Sequence, residues 1–194
     1  MEKKINASFT TQTIRVYQAY NHNIADEAVA LGHFGPHFKM ERMTWIKPSF
    51  LWMMYRSGWA TKVGQERVLA IDLSIEGFHE ILHEVVLSTY NKDLYQSKEA
   101  WQEKGKHALV RCQWDPDKDI YLQPMERKAI QLGLRGEIVS KYVQEWTQNI
   151  TDITSYVHET KELLNKGEME KIILPTETEF PLSETEKKIL GIIK

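Results

Sequence analysis

Disulfide chemistry is the first thing this sequence excludes. Cys112 is the only cysteine in 194 residues, so no internal bridge can form. A lone thiol fits a reducing cytoplasm, and its place in the alternating run 107–114 reads as a half-buried strand position rather than a nucleophile. No apolar run approaches the roughly 20 residues that a membrane-spanning helix needs, and no secretory leader is recognisable. Membrane insertion and export are therefore not expected. Charge of one sign is also missing: 25 Lys and Arg against 27 Asp and Glu leave a net charge of −2. That balance argues against a dedicated duplex nucleic-acid binder but leaves room for a local basic pocket. The G-x-S-x-G elbow, the phosphate-binding Walker loop and the dinucleotide G-x-G-x-x-G fingerprint are all absent. Any catalytic constellation must then be built from Arg, Tyr, Gln, Ser and Glu.

What is present points to a globular chain. Hydrophobic residues make up 42% and charged residues 27%, enough to bury a sizeable core in one domain spanning residues 1–194. Six tryptophans and eight tyrosines suit a core built around a flat ligand, and equally a core alone. The most informative stretch is residues 42–59, Arg-Met-Thr-Trp-Ile-Lys-Pro-Ser-Phe-Leu-Trp-Met-Met-Tyr-Arg-Ser-Gly-Trp. Pro48 pushes Lys47 toward an extended conformation, so residues 43–47 read as a short strand. Pro48 and Ser49 suit the first turn of a helix and Gly58 its end, which gives about ten helical residues. Residues 50–55 have no polar face, so that helix is expected to be buried on most sides. Arg42, Lys47 and Arg56 then begin or end beside a dry core, where charge needs partners. They are either structural ion pairs or the ligands of an anion at the strand-to-helix turn, where helix amides also favour negative charge.

Along the rest of the chain, residues 1–11 are polar and read as a loose arm. Residues 13–20 alternate and are β-branched and aromatic, a strand, and 23–31 form a short amphipathic helix stopped by Gly32. After a loop at 33–40 and the central stretch, 65–73 read as a strand and 75–87 as a helix. Residues 91–105 are polar, mixed helix and loop. Strands are expected at 107–114 and 127–134, with a turn at 115–119 and a short strand at 120–122. Helices are expected at 136–148 and 153–165. Residues 174–182 carry two prolines and should run extended over the surface, before Ser183 and Glu186 open a last helix with capping-box spacing. Strands and helices intermingle without regular alternation, so the fold class is α+β.

One motif invites a metal reading. His79-Glu80-Ile81-Leu82-His83 matches the H-E-x-x-H helix of zinc peptidases, in which both histidines share a face and the glutamate is the base. The next residue is the charged Glu84, and no segment further on offers an obvious third ligand. A solvated His/Glu helix face is expected instead, with no metal.

The runs 14–20, 42–59, 113–116 (Gln-Trp-Asp-Pro) and 129–134 (Ala-Ile-Gln-Leu-Gly-Leu) resemble a microbial family catalogued as domain of unknown function 4291. The resemblance extends through 150–154 to 174–177, and His79 and His83 lie outside its pattern. A second resemblance, in the order of elements, is to the ADP-ribosyltransferase fold, which binds NAD in a cleft between two small sheets. It implies a split, mostly antiparallel sheet flanked by helices, with residues 16–20, including Tyr17, in place of a V-Y-H/R-G-T-like strand end. By that resemblance Arg15 or Gln18 approaches the NAD diphosphate or amide, Ser49 supports the nicotinamide ribose and Tyr55 stacks on nicotinamide. Arg42, Trp45, Lys47 and Arg56 complete a nucleotide site on the strand, turn and helix. Glu126, just before the late strand, takes the place of the catalytic glutamate, with Glu137 second. The implied activity is transfer of ADP-ribose to a protein or nucleic acid. The chain departs from the pattern at Gln18, at Ala19 and in lacking a Q/E-x-E before the late strand. The alternative is a non-catalytic module that binds a nucleotide, an RNA end or a phosphorylated partner, with Gln113 and Gln131 reading a base edge.

Overall fold

A computed structural model of the protein describes residues 1–193. Its strands are β1 (Asn6–Ala7), β2 (Thr13–Tyr20), β3 (Thr44–Ile46), β4 (Arg67–Ser74), β5 (Val85–Leu87), β6 (Val110–Lys118), β7 (Pro124–Leu134), β8 (Thr147–Asp152) and β9 (Thr178–Glu179). Its α-helices are α1 (His22–Leu31), α2 (Phe50–Ser57), α3 (Ile75–His83), α4 (Lys98–His107), α5 (Glu137–Lys141), α6 (Thr154–Lys166) and α7 (Glu184–Ile189). The fold is α+β, as the pattern of periodicities implies.

Two main sheets, ordered β2-β4-β8 and β3-β7-β6-β5, carry the molecule, and β1 pairs with β9 in a small third. All pairings are antiparallel except β5 with β6. The main sheets touch at a single bridge, where the Tyr17 N–H donates to the Lys47 carbonyl at 2.8 Å. Pro48 follows at once on the Val16 side of the bridge, away from the cleft. Beyond the bridge the Gln18 side chain takes over, donating to Thr44 Oγ1 (2.7 Å) and to the Trp45 carbonyl (3.0 Å). Between Tyr20 and Thr44 the backbones separate, and only their hydroxyls meet, at 3.0 Å. On the side where the sheets part, the Gln18 amide is what spans the gap between the two strands.

Alternation along β2 and β4 sends Ile14, Val16, Leu69, Ile71 and Leu73 into the larger core with Phe78, Ile81 and Leu82 of α3. The opposite face sends Tyr17, Val68 and Ala70 against Phe50, Met53 and Met54 of α2 and Val157 of α6. Each of these large apolar side chains contributes about 1.5–3 kcal/mol by leaving water. Ser49 caps α2 by accepting from the Trp52 N–H, and Gly58 ends it in the left-handed region at φ 61°. The helix is buried on most sides, as expected, and its remaining side is wet: Tyr55 is 46% exposed and Arg56 is also at the surface.

Several expected boundaries moved, each for a tertiary reason. Residues 1–11 are not a loose arm: Ile5 and Ala7 are buried and β1 pairs with β9. The helix expected to Leu87 stops at His83, because Val85–Leu87 pairs parallel with β6. The helix expected over 136–148 tightens into α5, passes through a π turn at Tyr142–Trp146 and gives way to β8. β8 is a polar edge strand with only Ile150 buried, so hydrophobic alternation had little to reveal. The turn expected at 115–119 is strand as far as Lys118, and the strand expected at 120–122 is the turn. There Asp119 accepts from the N–H groups of Tyr121 and Gln123 while Leu122 adopts φ 61°. Residues 174–182 pair as a strand only at Thr178–Glu179 and do not simply cross the surface, since Phe180 is buried; the capping box of Ser183 and Glu186 opens α7 as expected.

Candidate functional site

A cleft of about 420 Å³ opens where the two main sheets part. Its walls are Gln18, Ala19 and Tyr20 of β2, Met43, Thr44, Trp45 and Lys47 around β3, Met53 and Arg56 of α2, with Gln65, Gln113 and Gln131. That volume lies in the range of small-molecule sites. Of the residues singled out above, the fold brings together Gln18, Trp45, Lys47, Arg56, Gln113 and Gln131.

Lys47 is the unusual member. It is 5% exposed, and no carboxylate forms an ion pair with it among the described residues. Its ammonium donates to the Trp45 carbonyl at 3.2 Å and lies 5.6 Å from the centre of the Trp52 ring. An ammonium has three donors, so most of its capacity is unspent. Burial, and next the repulsion of Arg56, push its pKa down to about 7, with Asp115 pulling the other way. Arg56 likewise has no ion-pair partner among the described residues.

The floor is set by strand register. β3 pairs with β7 from Thr44 opposite Leu134 to Ile46 opposite Leu132, so the next step carries Lys47 toward Gln131. Gln131 in turn stands directly opposite Gln113. Both amides donate to Asp115, Gln113 to Oδ1 at 3.0 Å and Gln131 to Oδ2 at 2.8 Å. Trp45 packs against Gly133, where an added Cβ would sit 2.8 Å from the indole and from Met43 Sδ. Only glycine admits that ring to the wall.

The other proposed site residues lie elsewhere. Arg15 forms a two-pronged pair with Asp72 across β2 and β4, at 2.8 and 2.9 Å. Tyr17 points to the opposite face of β2, edge-on to Phe50, with a buried hydroxyl that lacks a partner among the described residues. Gln18 lines the cleft, but its amide is held by Thr44, Trp45 and the Tyr142 hydroxyl. Arg42 is exposed in the loop before β3. Tyr55 faces outward under the Lys118 ammonium, 3.8 Å from its ring centre. Glu126 and Glu137 are exposed and line no part of the cleft.

The helix N-terminus expected to receive an anion is already occupied by carboxyl groups of the chain itself. The Phe50 N–H donates to Glu177 at 2.7 Å, and Ser49 donates to Asp117 at 2.9 Å. Arg127 completes the group, donating to the other Asp117 oxygen at 2.8 Å. Burial, together with Asp117, pushes the Glu177 carboxyl up to about 8 against the pull of the Phe50 N–H and Arg127. Ser49 is therefore a structural cap. His79, from the H-E-x-x-H run, hydrogen-bonds through Nδ1 to Glu186 at the packing of α3 on α7, rather than facing solvent freely. Among the described residues no group of three or more His, Cys, Asp or Glu is arranged to hold a metal.

Sequence reasoning missed Asp115 and Asp117. Their signal was available: Gln113, Asp115 and Asp117 alternate at the strand period, but Asp-Pro-Asp also has the composition of a turn.

Fold and site together define an α+β protein with a cationic, amide-lined cleft at the split between two sheets. The chain belongs to the family described as Domain of unknown function (DUF4291), which matches it over residues 4–180. No curated protein matches it. No helix among the described residues is long and apolar enough to cross a membrane.

Proposed function

We propose that this protein binds NAD or a related nucleotide in the cleft between its sheets, with the phosphates against Lys47 and Arg56. The observation that carries this reading is Lys47 itself. It is a buried cation with no carboxylate partner among the described residues, turned toward an open cleft beside a second free cation. Holding such a charge costs several kcal/mol, a cost that an anionic ligand offsets. The element order β2-α1-β3-α2-β4 and a cleft between two sheets also support the likeness to ADP-ribosyltransferases.

Binding is favoured over transfer. Cleavage of the nicotinamide–ribose bond calls for a carboxylate beside the developing oxocarbenium ion. Among the described residues no Asp or Glu lines the cleft, and the nearby Asp115 is engaged by two glutamines. The test is calorimetric titration with NAD, ADP-ribose and ATP, followed by a nicotinamide-release assay. Saturable binding that disappears in Lys47→Met and weakens in Arg56→Ala is the expected result. A folded protein that binds none of the three refutes the reading. Nicotinamide release that vanishes in Glu126→Gln would restore the transferase role.

A further inference from the structure

We infer that Gln113, Gln131 and Asp115 form a reader for an amino group, selecting ligands that carry an –NH2 conjugated to a planar ring. This rests on the nucleotide-binding reading above and adds what the cleft discriminates.

Asp115 accepts from both glutamine side chains. A carboxylate offers only acceptors, so each glutamine that bonds to it must present its NH2. Gln113 gives its Nε2 to one carboxylate oxygen and Gln131 gives its Nε2 to the other. The amide orientations are thereby fixed, and neither side chain is free to flip. Each Oε1 is turned away from Asp115, and neither receives a hydrogen bond within the described residues. Gln113 and Gln131 are direct cross-strand neighbours, with Cβ atoms about 4.5–5.5 Å apart, so both amides act at one point of the wall. Both residues line the cleft that contains Lys47 and Arg56. A pair of acceptors beside cations suits an –NH2 on a phosphate-bearing ligand. It opposes a carbonyl or carboxylate at the same point, where lone pairs would face lone pairs. Asp115 is the positioning residue: it touches no ligand and acts through the two amides.

In NAD two groups answer this description, the exocyclic amine of adenine and the carboxamide of nicotinamide. The experiment separates them by comparing NAD with its hypoxanthine analogue, in which the adenine amine becomes a carbonyl. A second comparison uses its nicotinic acid analogue, in which the carboxamide becomes a carboxylate. Affinities are measured by calorimetry near pH 6, where Lys47 remains charged. The expected result is about a 10- to 100-fold loss for one analogue, which identifies the end that is read. Asp115→Asn supplies the second arm. One asparagine can accept from one glutamine and must donate to the other, so one amide turns over and the acceptor pair becomes an acceptor and a donor. Discrimination should then fall to within a few-fold, a change that simple loss of packing would not produce. Gln131→Met, which removes one acceptor, should lower the ratio in the same direction if Asp115→Asn fails to fold. Equal affinity of the wild-type protein for NAD and both analogues overturns this inference and leaves nucleotide binding standing. Failure of NAD itself to bind overturns both.

Discussion

Lys47→Met should make the protein more stable while abolishing ligand binding. The ordinary lysine pKa of 10.5 falls to about 7 at this position. At 1.36 kcal/mol for each tenfold change in proton affinity, that fall amounts to about 5 kcal/mol of penalty on the buried charge. Methionine of similar length removes the penalty. It forfeits the hydrogen bond to the Trp45 carbonyl and the approach to the Trp52 ring, each worth about 1 kcal/mol. The net gain is about 2–3 kcal/mol, or roughly 5–10 °C in Tm for a chain of this size. Its pH dependence follows from linkage. Between about pH 7 and 10.5 the unfolded chain holds a proton that the native protein has released, so wild-type stability rises with pH across that window. The advantage of Lys47→Met is therefore largest at and below about pH 7 and disappears toward pH 10.5. Urea denaturation followed by tryptophan fluorescence at several pH values between those limits reads it directly. If Lys47→Met is less stable than wild type by about 2 kcal/mol or more at every pH, Lys47 is a structural residue and the argument for a ligand fails.

Nucleotide affinity should fall as pH rises above about 7, by up to about tenfold per pH unit, because an anion beside Lys47 favours its charged form. Calorimetry in buffers of different ionisation enthalpy should show proton uptake on binding just above neutrality; no uptake contradicts a contact with Lys47. The Glu177 carboxyl is raised above its unfolded value, so the native protein holds its proton from about pH 4.5 to 8 and loses that stabilisation as pH rises through the window. Glu177→Gln should flatten this decline by up to about 5 kcal/mol in unfolding free energies from urea titrations compared at the two ends; parallel pH profiles would show that Glu177 does not titrate there. Gly133→Ala places a methyl about 2.8 Å from the Trp45 indole, so it should cost about 1–3 kcal/mol and displace the cleft wall. A crystal structure with Trp45 unmoved would refute that packing argument.

Much of the fold is a direct consequence of local sequence. Residues 13–20 form β2 over the expected span, since β-branched and aromatic residues at period two leave no other economical way to bury both faces. Ser49 and Gly58 bound α2, Asn21 and Gly32 bound α1, and Ser183 with Glu186 opens α7, because caps act within one turn of the chain. The importance of the 42–59 stretch is likewise local, as an apolar helix flanked by cations must be buried beside charge. Tertiary structure decided where those charges point. Arg15 finds Asp72 only through the pairing of β2 with β4, and the N-terminus of α2 receives Glu177 from 127 residues away. Lys47 is left facing the cleft because its strand parts from β2 beyond the one bridge at Tyr17 and Gln18 spans the gap. Asp115 becomes the anchor of two amides only when β6 and β7 align Gln113 with Gln131. Short-range sterics and capping are written along the chain, whereas partners across a sheet depend on a register that no single segment contains.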